Sequence, residues 1–149
     1  MKTWTEEIEI NAPIETVWKV IDGSEENLKK LDPKIISSKV IEETEKRIGS
    51  RYLQEYKEGK KVMEYVVEVK DYLEDDNNKM FEIGFELGNW FDITVKYVLK
   101  KVDEDKTHLV YTTTNRPMKF FAKIVMRMMG NNSSVVKTHV EKIKKLSET

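Results

Sequence analysis

Few side chains in this sequence are equipped for proton, metal or nucleophilic chemistry. There are two histidines, His108 and His139, and no cysteine. Without thiols there are no disulfides, no thiolate metal sites and no cysteine nucleophile. The histidines do not stand in a ligand spacing such as His-Glu-x-x-His, so no metal centre is expected. Periodicity puts His108 on the wet side of a strand with Val110 and Thr112. His139 falls beside the inner stripe of the last helix, where it reads as a structural imidazole near a cavity mouth. No Gly-x-Ser-x-Gly elbow, phosphate-binding glycine loop or dinucleotide fingerprint occurs, and no organic cofactor is expected. Acid–base chemistry would need a carboxylate aimed inward. Glu6 fits by strand parity, while Glu55 or Arg51 qualifies only if their strand takes the opposite register. No residue is assigned as catalytic.

Apolar rings are more plentiful, and the elements that carry them alternate cleanly. Trp4, Ile8 and Ile10 share one parity and read as a first strand. Pro13 then opens a short helix through Val17, Trp18 and Ile21, and Ser24 caps a second through Leu28 and Leu31, which Pro33 ends. From Lys34 to Asn115 the period is two, with turn clusters at Gly49-Ser50, Gly59-Lys60, Asp75 to Asn78, Gly88-Asn89 and Asp103 to Asp105. Six further strands follow, each with one charged face and one apolar face, the mark of a meandering antiparallel sheet. After Pro117 the period returns to 3.6 through Phe121, Ile124, Val125, Met128 and Met129, and again through Val136, Val140, Ile143 and Leu146. Gly130 to Ser134 are poor helix formers and predict a kink or break between the two halves.

The whole is expected to be one α+β domain over residues 1–149, a seven-stranded curved antiparallel sheet wrapped around a long C-terminal helix, with two short helices after the first strand. The 26 Lys and Arg nearly cancel the 27 Asp and Glu and are interleaved with them, which argues against a nucleic-acid partner. No window approaches the ~20 apolar residues of a membrane span. Glu6, Glu7 and Glu9 occupy the place of a signal peptide's apolar stretch, so a cytoplasmic location is expected. Oligomeric state is left open.

This order of elements resembles the START-like helix-grip superfamily, SRPBCC, which includes the Bet v 1-like proteins and the polyketide cyclase/dehydrase group. The phrases that carry the resemblance are Glu7-Ile8-Glu9-Ile10-Asn11-Ala12-Pro13 followed by Val17-Trp18, Glu26-Asn27-Leu28 with Pro33, Gly49-Ser50-Arg51-Tyr52, and Thr107 to Thr112. Where similar proteins often carry tryptophan before the short-helix proline, this chain has Leu31-Asp32. The resemblance implies a deep apolar cavity for lipids, polyketides or other small apolar or amphipathic molecules, with catalysis in some branches only.

Strand parity nominates Tyr52, Tyr65, Val67, Phe81, Phe85, Tyr97 and Tyr111, and helix periodicity nominates Phe121, Val125 and Met128, as the wall of that cavity. Binding or transport of a small hydrophobic ligand is the leading reading. A cyclase-like enzyme using an inward carboxylate is the alternative, and a chaperone-associated protein-binding module on the outer sheet face is a third. Ligand entry is expected near Gly130 to Ser134, with the second short helix and the Gly88-Asn89 turn as other doors. The chain is predicted to fold without metal. Elemental analysis after dialysis against chelator checks this, and a retained stoichiometric transition metal refutes it.

Overall fold

The computed structural model describes residues 1–120, 123–124 and 133–149. In chain order its elements are β1 (Lys2–Ile10), α1 (Ile14–Ile21), α2 (Glu25–Leu31), β2 (Ile35–Glu42), β3 (Arg51–Glu58), β4 (Lys61–Glu74), β5 (Asn78–Leu87), β6 (Phe91–Asp103), β7 (Lys106–Pro117) and α3 (Ser133–Glu148). Pro13 fixes φ at −59° at the start of α1, and the Ser24 hydroxyl accepts from the Asn27 amide to cap α2. The seven strands form one antiparallel sheet in the order β1-β7-β6-β5-β4-β3-β2. Every neighbour except the β1–β7 pair is also a sequence neighbour, so hairpin turns set most of the register.

The helices gather on one face of this sheet. α3 packs on β1, β7 and α1, and α2 packs on β2. Val136, Val140, Ile143 and Ser147 form the buried stripe of α3. They meet a core that includes Ile10, Val17, Ile21, Leu99 and Leu109. Phe121, Val125 and Met128, from the expected first half of the C-terminal helix, lie outside the described residues. So do the first three residues of the expected Gly130 to Ser134 break. Its last two, Ser133 and Ser134, open α3.

Three polar contacts hold the corner after β1. The buried Thr107 hydroxyl donates to the Ala12 carbonyl at 2.8 Å. At the far end of α3, Glu148 accepts from the Asn11 amide at 2.7 Å, and Lys144 reaches the Glu9 carbonyl at 3.0 Å.

One irregularity changes which residues face inward. β4 pairs Val69 with Ile83 but Asp71 with Glu82, so an extra residue is inserted there and the parity flips. Tyr72, which regular alternation from Val67 and Val69 would turn outward, pairs with Phe81 on the concave side. Trp18 meets both rings edge-on, with centroids 5.7 Å from Tyr72 and 6.2 Å from Phe81.

Thr107→Val keeps the volume of the side chain but strands the buried Ala12 carbonyl. It is predicted to destabilise the fold by about 1–3 kcal/mol, read from the urea unfolding midpoint at constant m-value.

Candidate functional site

A chamber of about 170 Å³ lies between the concave sheet face, α2 and α3. Its wall includes Tyr65, Val67, Ile83, Phe85, Tyr97 and Tyr111, with His139 from α3 and Leu28 and Leu31 from α2. A smaller lobe of about 40 Å³ shares Leu28, Leu31, Gln54, Val67, Ile83 and Tyr97 with it and adds Tyr52 and Phe81. Together the two lobes bring side chains from β3 to β7 against both helices. The lining is mostly apolar, with a few hydroxyl, amide and imidazole groups.

All seven strand residues nominated by parity stand on this concave side. Val67, Phe81, Tyr97 and Tyr111 are buried, and Tyr52, Tyr65 and Phe85 are half-buried. Direct cross-strand pairing shows why they converge: Tyr52 lies opposite Val67, and Tyr97 lies between Phe81 and Tyr111. Gln54 belongs to the same wall, buried and opposite Tyr65. Sequence reasoning missed it because a buried glutamine breaks the apolar alternation. Tyr72 was hidden by the β4 bulge.

The other expectations fall out by register. β3 turns Tyr52 and Gln54 inward, which sends Glu55 and Arg51 to the convex face. There Glu55 accepts from the Ser37 hydroxyl at 2.9 Å, and Arg51 lies 3.2 Å from Glu42. Glu6 has the inward parity, half-buried opposite Tyr111, but lines neither lobe. His108 is on the outer side of β7, 3.7 Å from Glu7. Gly88 and Asn89 border a groove with Arg51, Glu64 and Glu68 that also shares Tyr65 and Phe85 with the chamber. The second helix does line it, through Leu28 and Leu31.

The polar centre of the chamber is His139, whose Nε2 is 2.9 Å from the Tyr97 hydroxyl. Its ring also lies 4.7 Å from that of Tyr111, and the two tyrosine rings are 5.1 Å apart. Desolvation governs all three groups. Burial pushes the His139 imidazole down to about 4, against a smaller upward pull from the Asp32 carboxylate at the rim. Burial holds the Tyr97 phenol well above its ordinary value and raises Tyr111 to about 12. Tyr65 is also raised to about 12, by burial first and then by the charge of Asp32. At neutral pH the cluster is therefore an uncharged set of hydrogen-bonding groups in an apolar wall. Among the described residues no group of three or more His, Asp or Glu is placed to hold a metal ion. None of the described helices is long and apolar enough to cross a membrane.

No protein-family model matches the sequence, and no curated protein matches it. Solved structures do match in three dimensions. The Zhui aromatase/cyclase from a Streptomyces species superposes with a TM-score of 0.72 at 12% identity, over 99% of this chain and 93% of that one. The fold is the helix-grip fold. Norcoclaurine synthase from Thalictrum flavum, in complex with dopamine and hydroxybenzaldehyde, superposes with a TM-score of 0.65 at 18% identity, over 97% of this chain and 85% of that one. A conserved protein from Geobacillus kaustophilus gives 0.66 at 20% identity, covering 98% and 95%. At these identities the likeness to other helix-grip proteins is one of architecture.

The depressed His139 value has a consequence for stability. The unfolded imidazole takes a proton as pH falls below 6.5, while the folded one resists until about 4. The unfolded state then binds more protons, so stability conferred by the neutral group is complete above 6.5 and is lost as pH falls toward 4. The loss attributable to His139 is predicted at no more than about 3 kcal/mol. His139→Gln, which retains a hydrogen-bonding group but does not titrate, should flatten this window in urea unfolding curves taken from pH 7 to pH 4.

Proposed function

We propose that this protein binds a small, largely apolar molecule in the chamber between its sheet, α2 and α3, in the cytoplasm. The observation that carries the reading is the chamber wall itself: Tyr65, Val67, Phe85, Tyr97 and Tyr111 line about 170 Å³ of partly open space beside an uncharged phenol–imidazole pair. A cavity of about 150 Å³ holds a molecule of benzene's size. The matching ligand thus has one ring or a short branched chain, with a single group able to hydrogen-bond the Tyr97–His139 pair. Norcoclaurine synthase, which shares the fold, was solved with ligands of one ring each. Phe121, Val125 and Met128 belong to this proposal as further wall residues by helix periodicity.

The enzyme reading finds less support. A general base is most effective with a pKa near the working pH, and an imidazole titrating at about 4 is too weak a base to hold that role well. The inward carboxylate it called for, Glu6, pairs with Tyr111 but is not in the lining of either lobe. The protein-binding reading has one point in its favour, since the edge strand β2 exposes Ile36, Val40 and Ile41, but most outer positions of the central strands are charged.

The test is to titrate p-cresol, one neutral ring with one hydroxyl, into the protein and follow amide shifts by NMR. Saturable shifts centred on Val67, Tyr97 and His139 are expected. Val67→Phe, which projects a ring where the two lobes meet, should weaken binding by about tenfold or more at a stability cost of about 1–3 kcal/mol. Shifts confined to the convex face would defeat the proposal.

A further inference from the structure

The smaller lobe does not end inside the protein. Gly23, Arg47 and Tyr52 line it and also line a vestibule of about 440 Å³ at the surface, between the α1–α2 turn, the β2–β3 loop and the end of β4. Arg47 thus stands where the apolar interior meets water. Its position is built by a turn: its backbone is left-handed, with φ of 71°, a conformation seldom taken by a long side chain. The Arg47 amide donates to the Thr44 carbonyl and its own carbonyl accepts from Ser50. Thr44 in turn donates its hydroxyl to the Ile48 carbonyl at 2.7 Å. Strain of this kind persists where the surroundings over-determine it, and here it aims a guanidinium at the neck.

The guanidinium is poorly satisfied there. Its carbon lies 5.1 Å from the centroid of the Tyr72 ring, a stacking contact that consumes no N–H donor. Its Nε is buried with no hydrogen-bond partner among the described residues. Four carboxylates share the vestibule, yet none forms an ion pair with it. Three are engaged elsewhere. Asp22 accepts from the Ser24 amide at 2.9 Å and from Asn27, Glu25 pairs with Lys29 at 3.2 Å, and Glu74 accepts from the Tyr72 hydroxyl at 2.6 Å while facing Lys79. The fourth, Glu43, is exposed. A buried donor without a protein partner costs about 1–3 kcal/mol, so a group able to accept from the guanidinium is favoured beside it.

We propose that Arg47 anchors the head group of the bound molecule, and that the ligand class is an amphipathic carboxylate whose apolar end enters the chamber. This rests on the reading that the chamber takes an apolar ligand, and adds the chemistry of the other end. A carboxylate matches the planar fork of the guanidinium with two parallel hydrogen bonds, which a neutral amide cannot equal. Of the vestibule carboxylates, Glu25 is paired with Lys29, Asp22 and Glu74 accept neutral donors and keep their charge, and Glu43 is exposed, so an amine is the competing ligand that the experiment must exclude.

The experiment compares 4-phenylbutyrate, 4-phenylbutanamide and 4-phenylbutylamine by titration calorimetry at pH 7 and low salt. The wild-type protein should bind the acid about tenfold or more tighter than the amide. Arg47→Asn, a side chain that tolerates a left-handed backbone, should erase that preference by weakening the acid far more than the amide. Equal binding of acid and amide by the wild type overturns the Arg47 anchor while leaving the apolar chamber standing. Tightest binding of the amine overturns it in favour of a cation recognised by the vestibule carboxylates. If none of the three binds and p-cresol also fails, the chamber reading falls and this proposal with it. Should Arg47→Asn be too unstable to titrate, the wild-type order of affinities decides alone.

Discussion

A curved antiparallel sheet with one apolar face must keep that face from water. In this protein the described helices cover it chiefly at its two flanks: α3 lies against β1 and β7, and α2 lies against β2. The attachment of α3 is hydrophobic at heart. Burying Val136, Val140 and Ile143 contributes roughly 1.5–3 kcal/mol each relative to exposure. The Lys144–Glu148 pair on the same helix is screened by solvent and adds little beside this burial. Apolar burial therefore sets where the helix sits, and the polar contacts at Asn11 and Glu9 fix its end. Between the two flanks the concave side chains do not interdigitate everywhere with a described helix, and the chamber lies there.

The β4 bulge shapes one end of that space. By inserting a residue beside Lys70 it delivers Tyr72 to Trp18 and Phe81, closing the interior with three edge-on rings. The same ring cluster accommodates Lys79, buried at 2% exposure, whose ammonium lies 3.1 Å from Glu15 and above the Trp18 ring. A buried lysine is tolerable only with such partners. The bulge also places Tyr72 under Arg47. Thus a single insertion links the packed end of the core to the open neck of the cavity.

Within the chamber the electrostatics are those of exclusion. Low polarity keeps Tyr97 and Tyr111 protonated and His139 neutral, so the wall offers directional hydrogen bonds without charge. Charge is confined to the rim, at Asp32, and to the neck, at Arg47. The result is a gradient from an apolar, uncharged interior to a charged opening.

Much of this was legible before any coordinates. Strand parity is a property of the backbone, so the inward placement of Tyr65, Val67, Phe81, Phe85, Tyr97 and Tyr111 followed from residue type at alternate positions, as did the seven strands and the caps around Pro13 and Ser24. Parity cannot count an inserted residue, which is why Tyr72 escaped, and it cannot decide which of two strand faces a mixed sequence such as Arg51 to Tyr56 buries. Nor does a sequence reveal which polar groups meet. His139 and Tyr97 stand on different elements far apart along the chain, and the same holds for Arg47 and Tyr72. The sequence by itself determined the elements, their apolar faces and hence the architecture, because those depend on short-range periodicity. Only the tertiary structure decided the hydrogen-bonded pair in the chamber and the unsatisfied arginine at its neck, because both arise from where sheet curvature, one bulge and one left-handed turn bring distant side chains together.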